Sequence, residues 1–113
     1  MNVRCKIWIE QDGKAFGEGP YQLLKQVEKT NSLHEAACRM NMSYSKAWKL
    51  VQQIEKRLGC IFLDKKVGGL SGGGSRVTPE GREFLKRYER FESEAKKNVE
   101  RSYQKHFGSH GRD

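Results

Sequence analysis

Residues Ser32 to Leu50 read SLHEAACRMNMSYSKAWKL, and the folding of this stretch decides the rest of the chain. Ser32 followed by Glu35 has the spacing of a capping box, in which the hydroxyl accepts from the Glu35 N–H and the carboxylate reaches back to the Ser32 N–H. Leu33, Ala36, Ala37 and Met40 then recur at helical spacing. Asn41 tolerates the left-handed backbone of a tight stop, and Ser43 is a favourable N-cap for a second helix. That helix carries Ala47, Leu50, Val51, Ile54 and Leu58 on one apolar stripe, and Gly59 suits its C-terminal stop. Ala37 is small where two crossing helices approach closely. The pattern predicts a helix-turn-helix pair.

The outer face of the second helix presents Ser43, Tyr44, Ser45, Lys46, Lys49 and Gln53. A helix of this kind enters the DNA major groove N-terminus first. Its hydroxyls donate or accept at base edges, and its lysines donate to guanine or pair with phosphate. Two adjacent amphipathic helices also occur in many helical domains, so the flanking sequence has to arbitrate. Trp48 and Trp8 read more readily as packing residues than as base-stacking groups.

After Gly59, Cys60-Ile-Phe-Leu63 is a short strand candidate and Arg76-Val77 its return. Between them lies the glycine-rich run from Val67 to Ser75. Two strands around such a tip form a wing, with Lys65, Lys66, Ser71, Ser75 and Arg76 placed to meet the phosphate backbone. A plain flexible loop is the alternative. A nucleotide-phosphate loop is not, because Gly74 is followed by Ser75 and Arg76 rather than by Lys and Ser/Thr.

Thr78-Pro79-Glu80 is a strong helix start, combining an N-cap, proline in the first turn and an acidic residue at the positive end of the helix dipole. The helix it opens is long, about 79–104. Phe84, Tyr88, Phe91, Ala95 and Val99 form a narrow apolar seam on it, which suits pairing with a second copy. The competing reading has the seam cover its own domain. Upstream, Val3, Cys5, Ile7 and Ile9 alternate with polar neighbours and Trp8, predicting a strand. Asp12-Gly13 is a two-residue hairpin turn, and Lys14-Ala15-Phe16 returns. Pro20 opens a helix to about Lys29 with Tyr21, Leu23, Leu24 and Val27 inward.

The 113 residues amount to one domain, with 22 Lys+Arg against 14 Asp+Glu and a net charge of +8, a balance that favours a polyanionic partner. No apolar run reaches the ~20 residues of a membrane span, and the start lacks a signal-peptide core, so the expected location is cytoplasmic. Cys5, Cys38 and Cys60 are read as reduced thiols, with Cys5 and Cys38 as small core residues. His34, His106 and His110 have no partners at metal-ligand spacing. No metal, cofactor or catalytic constellation is expected, which argues against an enzyme.

Three stretches carry a family resemblance: SLHEAACRMNMSYSKAWKLVQQIEKRLG, KKVGGLSGGGSRVTPEG and NVRCKIWIEQDGKAFGEGPYQLL. Together they resemble the N-terminal DNA-binding domain of ModE-type molybdate-responsive regulators and, more distantly, the winged helix-turn-helix of LysR-type regulators. The resemblance covers residues 2 to 95. It implies a bacterial or archaeal transcription factor, dimeric through its long terminal helix, with DNA contacts from Ser43, Tyr44, Ser45, Lys46 and Lys49 and from the wing around Ser71 to Arg76. ModE-type regulators continue into an oxyanion-binding part built from small β-barrels. The 113 residues end about where it begins, so no molybdate or tungstate ligands are assigned, and a separate oxyanion-sensing partner is an open option.

The expected fold is mainly α with small β. Residues 1–78 form a winged helix-turn-helix unit, with a hairpin at 3–16, the helix pair at 32–58 and the wing at 60–78. Residues 79–107 form a long dimerisation helix and 108–113 a disordered tail. The expected function is regulation of transcription by binding a palindromic duplex site as a homodimer. The alternative is a stand-alone interaction or oxyanion-sensing module without direct DNA readout.

Overall fold

A computed structural model describes residues 1–64 and 74–108. The order is β1 (Ile9–Glu10), β2 (Lys14–Phe16), α1 (Glu18–Thr30), α2 (Leu33–Arg39), α3 (Tyr44–Leu58), β3 (Leu63–Asp64), β4 (Arg76–Val77) and α4 (Pro79–Phe107). The strands form two separate antiparallel pairs, β1 with β2 and β3 with β4. The protein is a mainly α winged helix-turn-helix with a short N-terminal hairpin and a long last helix.

The helix boundaries follow local chemistry. The Ser43 hydroxyl accepts from Lys46 N at 3.1 Å, and the Thr78 hydroxyl accepts from Gly81 N at 2.9 Å with Pro79 in the first turn. α1 stops at Asn31 (φ 55°) and α3 at Gly59 (φ 67°), both in the left-handed conformation that ends helices. Asn41 (φ 57°) makes the turn between α2 and α3. Ser32 caps α2 by accepting from Glu35 N at 3.0 Å, but the reciprocal arm of the capping box is missing. The Ser32 N–H donates instead to the Thr30 hydroxyl, and the Glu35 carboxylate faces Arg39 at 3.9 Å.

One apolar core joins all elements. Leu23, Leu24 and Val27 of α1, Leu33, Ala36 and Ala37 of α2, and Ala47, Val51 and Ile54 of α3 meet Phe16, Phe62, Leu63, Val77, Leu85 and Tyr88. Phe16 is fully buried at the junction of the hairpin, the wing root and α4, against Phe62, Phe84 and Tyr88. Gly81 lets α4 cross the wing root closely, since a Cβ there would sit 3.1 Å from Phe62 Cα.

The N-terminal strand is shorter than the alternation predicts. Residues 3–8 keep the alternating half-buried and exposed pattern but form no ladder. The reason is their partner's length: β2 ends at Phe16 and α1 begins at Glu18, so nothing is left to pair with Val3 to Trp8. The segment runs beside α4 instead, where the Tyr88 hydroxyl donates to the Ile7 carbonyl at 3.1 Å. The β1–β2 register pairs Glu10 with Lys14, so the loop is Gln11–Gly13 rather than a two-residue turn, with Asp12 and Gly13 both at positive φ. Trp8 is exposed rather than packed inside; its ring lies under Lys14 Nζ and its indole N–H donates to Glu10. Cys38 also corrects the expectation: with Ala36 and Ala37 turned inward it faces solvent, and Cys5 is half-buried. Cys60 is the buried thiol, pushed up to about 11 by burial and by Glu80.

α1 and α4 are joined by a charged cluster. The Tyr21 hydroxyl donates to Glu89 at 2.6 Å, Lys25 contacts Glu89 at 3.2 Å and Glu28 at 3.1 Å, and Arg82 contacts Glu28 at 3.5 Å. The Tyr21 hydrogen bond, helped by Lys25 and opposed by partial burial, holds the Glu89 carboxyl below its ordinary value of 4.5. A depressed carboxyl stabilises the fold above its unfolded-state value, and that contribution is lost as pH falls through the folded-state value. Urea midpoints are therefore expected to decline below about pH 4.5, and Tyr21→Phe should shrink the decline. Equal acid sensitivity in wild type and Tyr21→Phe would contradict this assignment.

α4 takes part of its seam inward. Tyr88 is buried in the chain's own core and Phe84 packs against it through Phe16 and Phe62, so neither is spare for a partner. Leu85, absent from the expected seam, is also buried. The sequence favours pairing for the whole seam, with cover of its own domain as the competing reading, and the first half of the seam covers the domain. Phe91 is 50% exposed, and Ala95 and Val99 are half-exposed. Of the expected tail at 108–113, Gly108 is ordered as the cap of α4, its N–H donating to the Gln104 carbonyl at 2.9 Å, while 109–113 and the wing tip at 65–73 lie outside the described residues.

Candidate nucleic-acid interface

α3 is anchored on one side and open on the other. Ala47, Val51 and Ile54 face the core, and the half-buried Trp48, Leu50 and Leu58 flank them. Among the expected contact residues, Ser43, Tyr44, Ser45, Lys46, Lys49 and Gln53 are all exposed. The helix therefore stands at the surface along its polar side.

The exposed side differs in detail from the expected set. Ser45, Lys49, Gln52 and Lys56 are spaced i, i+4, i+7 and i+11, which places them on one stripe opposite Val51 and Ile54. Gln52 and Lys56 were missed, although the spacing used for the apolar stripe finds them when applied to the polar face. Gln53 lies toward the hairpin instead, in a cleft also lined by Trp8, Lys14, Leu50 and Arg57. Ser43 spends one acceptor site on its helix cap, which leaves its O–H proton available.

Tyr44 is the large side chain at the N-terminal end of α3. It is 45% exposed. Its ring stacks on His34 of α2, with centroids 5.3 Å apart and planes 26° from parallel. On its own helix it stacks on Trp48 at 6.3 Å and 30°. No sequence spacing joins His34 to Tyr44; the turn at Asn41 brings them together.

The wing root is rigidly held. The Glu55 carboxylate accepts from Phe62 N at 2.8 Å and Leu63 N at 3.1 Å, tying β3 to α3. Ser75 N donates to the Asn31 carbonyl at 3.0 Å, tying the return segment to the end of α1. Ser75 is thus partly buried and fixed by its backbone. Arg76 is exposed and borders a cleft with Glu28, Asn31 and Arg82, on the side of α1 and α4. Lys65, Lys66 and Ser71 lie outside the described residues. Among the described residues, no group of three or more His, Cys, Asp or Glu side chains could hold a metal ion, and no helix is long and apolar enough to cross a membrane.

A helix pair with a close turn, an open polar second helix and a short strand pair rooted on it defines a winged helix-turn-helix fold. Residues 21–82 match the family described as bacterial regulatory helix-turn-helix protein, lysR family, and the chain belongs to that family. Relatives agree. The molybdenum-pterin-binding protein MopB of Rhodobacter capsulatus is 31% identical over 87 residues, covering 75% of this chain and 32% of that protein. The transcriptional regulator ModE of Haemophilus influenzae is 30% identical over 71 residues, covering 63% of this chain and 28% of its own length. The DNA-binding transcriptional dual regulator ModE of Escherichia coli K12 is 27% identical over 90 residues, covering 79% and 34%. The chain spans about a third of the length of these relatives. Its helix-turn-helix is therefore of the bacterial regulatory lysR type, and its sequence is similar to part of the ModE regulators.

Proposed function

We propose that the chain binds a palindromic duplex site as a homodimer, with residues 1–78 and the buried start of α4 as the DNA-binding unit and the exposed remainder of 79–107 as the pairing helix. The observation that carries the first part is the open stripe of α3, Ser45, Lys49, Gln52 and Lys56, which begins at a capped N-terminus and faces away from the core. Tyr44 and the serines meet base edges, while Lys46, Lys49 and Lys56 meet phosphates or guanines. The net charge of +8 supplies the long-range attraction. The wing residues Lys65, Lys66, Ser71 and Arg76 take the neighbouring backbone.

The pairing surface is the part of α4 beyond the core. Twenty-nine residues of helix run about 43 Å. The helix therefore lies along the molecule's long dimension of 66 Å rather than across the short ones of 26 and 22 Å, with residues 3–6 beside Lys96, Val99 and Glu100. Phe91 and Phe107 are 50% and 64% exposed on it, and Tyr103 stacks on Phe107. A helix with exposed aromatic rings gains by packing them against its copy. Two-fold pairing sets the two α3 helices on one face of the duplex about 34 Å apart.

Phe91→Glu is expected to convert the dimer to monomer in sedimentation while the circular dichroism melt is preserved, because Phe91 lies outside the core. An intact dimer would count against the α4 seam. The function itself is tested by selecting bound sites from random duplexes. Enrichment of a two-fold symmetric sequence is expected. Failure to enrich any sequence would favour the alternative, an interaction or oxyanion-sensing module that leaves bases unread. The relatives' names tie them to molybdenum transport and pterin. For this chain we assign oxyanion sensing to a separate part or partner rather than to the helix-turn-helix unit.

A further inference from the structure

We infer that His34 is a positioning residue for base readout: stacked on Tyr44, it fixes the tyrosine ring in the orientation that meets the duplex. This rests on the reading of α3 as the recognition helix. Tyr44 stands in the first turn of that helix with nearly half its surface open. A tyrosine so exposed would sample several rotamers and lose that freedom on binding. Here it is held by two rings from two helices. His34 lies at 5.3 Å and 26°, Trp48 at 6.3 Å and 30°, both within the range of offset stacking. Trp48 is half-buried against the core, so the ladder is anchored at one end. His34 is exposed and belongs to α2, so its contact with Tyr44 also spans the turn and fixes the outer edge of the helix pair. His34 has no part in the apolar core, so its position on this edge is not explained by packing of the domain.

The ladder leaves the hydroxyl end of Tyr44 as the group that donates to or accepts from a base edge. His34 acts through that ring by lowering the entropy lost when it docks. Its effect is accordingly confined to sequence-specific binding, since attraction of lysines to phosphate needs no fixed ring.

The test uses the full chain and two probes, a duplex selected from a random pool by the wild type and a scrambled duplex of equal length. His34→Ala is expected to weaken binding to the selected duplex about threefold to tenfold, the scale of one side chain newly immobilised on association. Binding to the scrambled duplex and the salt slope should stay unchanged. His34→Phe, which keeps a flat ring, should restore most of the loss. In a Tyr44→Ala background, His34→Ala should have no further effect. The inference is overturned if His34→Ala leaves the selected-site affinity intact. It is also overturned if the loss falls equally on both duplexes without rescue by phenylalanine, the mark of a direct phosphate contact, or if the two losses add. Wild type that retains neither duplex would instead overturn the DNA-binding reading and this inference with it.

Discussion

Replacing Lys46 and Lys49 together by alanine is expected to weaken duplex binding by on the order of 10- to 100-fold at moderate salt, while the thermal midpoint stays within error. Both side chains are exposed on α3, and neither holds an ion pair among the described residues. The cap on α3 uses the backbone N–H of Lys46, which alanine keeps. Alanine also favours helix at both positions. The fold therefore has nothing to lose, and the whole effect falls on the interface. Each lysine that neutralises a phosphate releases about one counterion, so the double variant should also flatten the plot of log affinity against log salt by about 2. Fluorescence anisotropy of a labelled duplex over a salt series reads both quantities. Unchanged affinity and slope would remove α3 from the interface.

Phe16→Ala is expected to destabilise the chain by about 3–5 kcal/mol, the usual loss for a large buried aromatic. That is a large share of the stability of a small domain, about 5–15 kcal/mol. Phe16 is fully buried, stacks on Phe62 at 5.9 Å, and meets Phe84 and Tyr88 edge-on at 4.9 and 5.0 Å. These partners come from the wing root and α4, so one ring ties the N-terminal hairpin to the rest. A cavity there cannot close without moving three elements. Phe16→Leu should cost much less, because most of the volume is kept. Urea unfolding followed by circular dichroism measures both. A loss below about 1 kcal/mol for the alanine variant would mean that the hairpin is an appendage rather than part of the core.

The helix pair was legible because its determinants are local. Ser43 and Thr78 cap the helices they were expected to cap, and Asn41 and Gly59 take the left-handed conformation their types allow. The apolar stripes of α1, α2 and α3 follow their spacing into the core. What escaped depends on partners that spacing does not specify. Val3 to Trp8 alternates like a strand, but a ladder needs a second strand, and Gly17 ends the one available. Tyr88 and Phe91 share an apolar seam, yet one meets Phe16 and the other meets solvent, because they stand at different angles around α4 and the core touches only the first. The same limit applies at the interface. Lys49 was visible from its place in the helix; the stack of His34 on Tyr44 arises only when α2 turns onto α3.

The central claim is that α3 lies in the major groove. Guanine N7 atoms face that groove and are methylated there by dimethyl sulfate. On a duplex selected by the wild type, we expect protection of N7 at the bases under α3, and loss of protection in the Lys46→Ala, Lys49→Ala variant at the same protein concentration. Full reactivity at every N7 while the wild-type chain is bound would contradict the account.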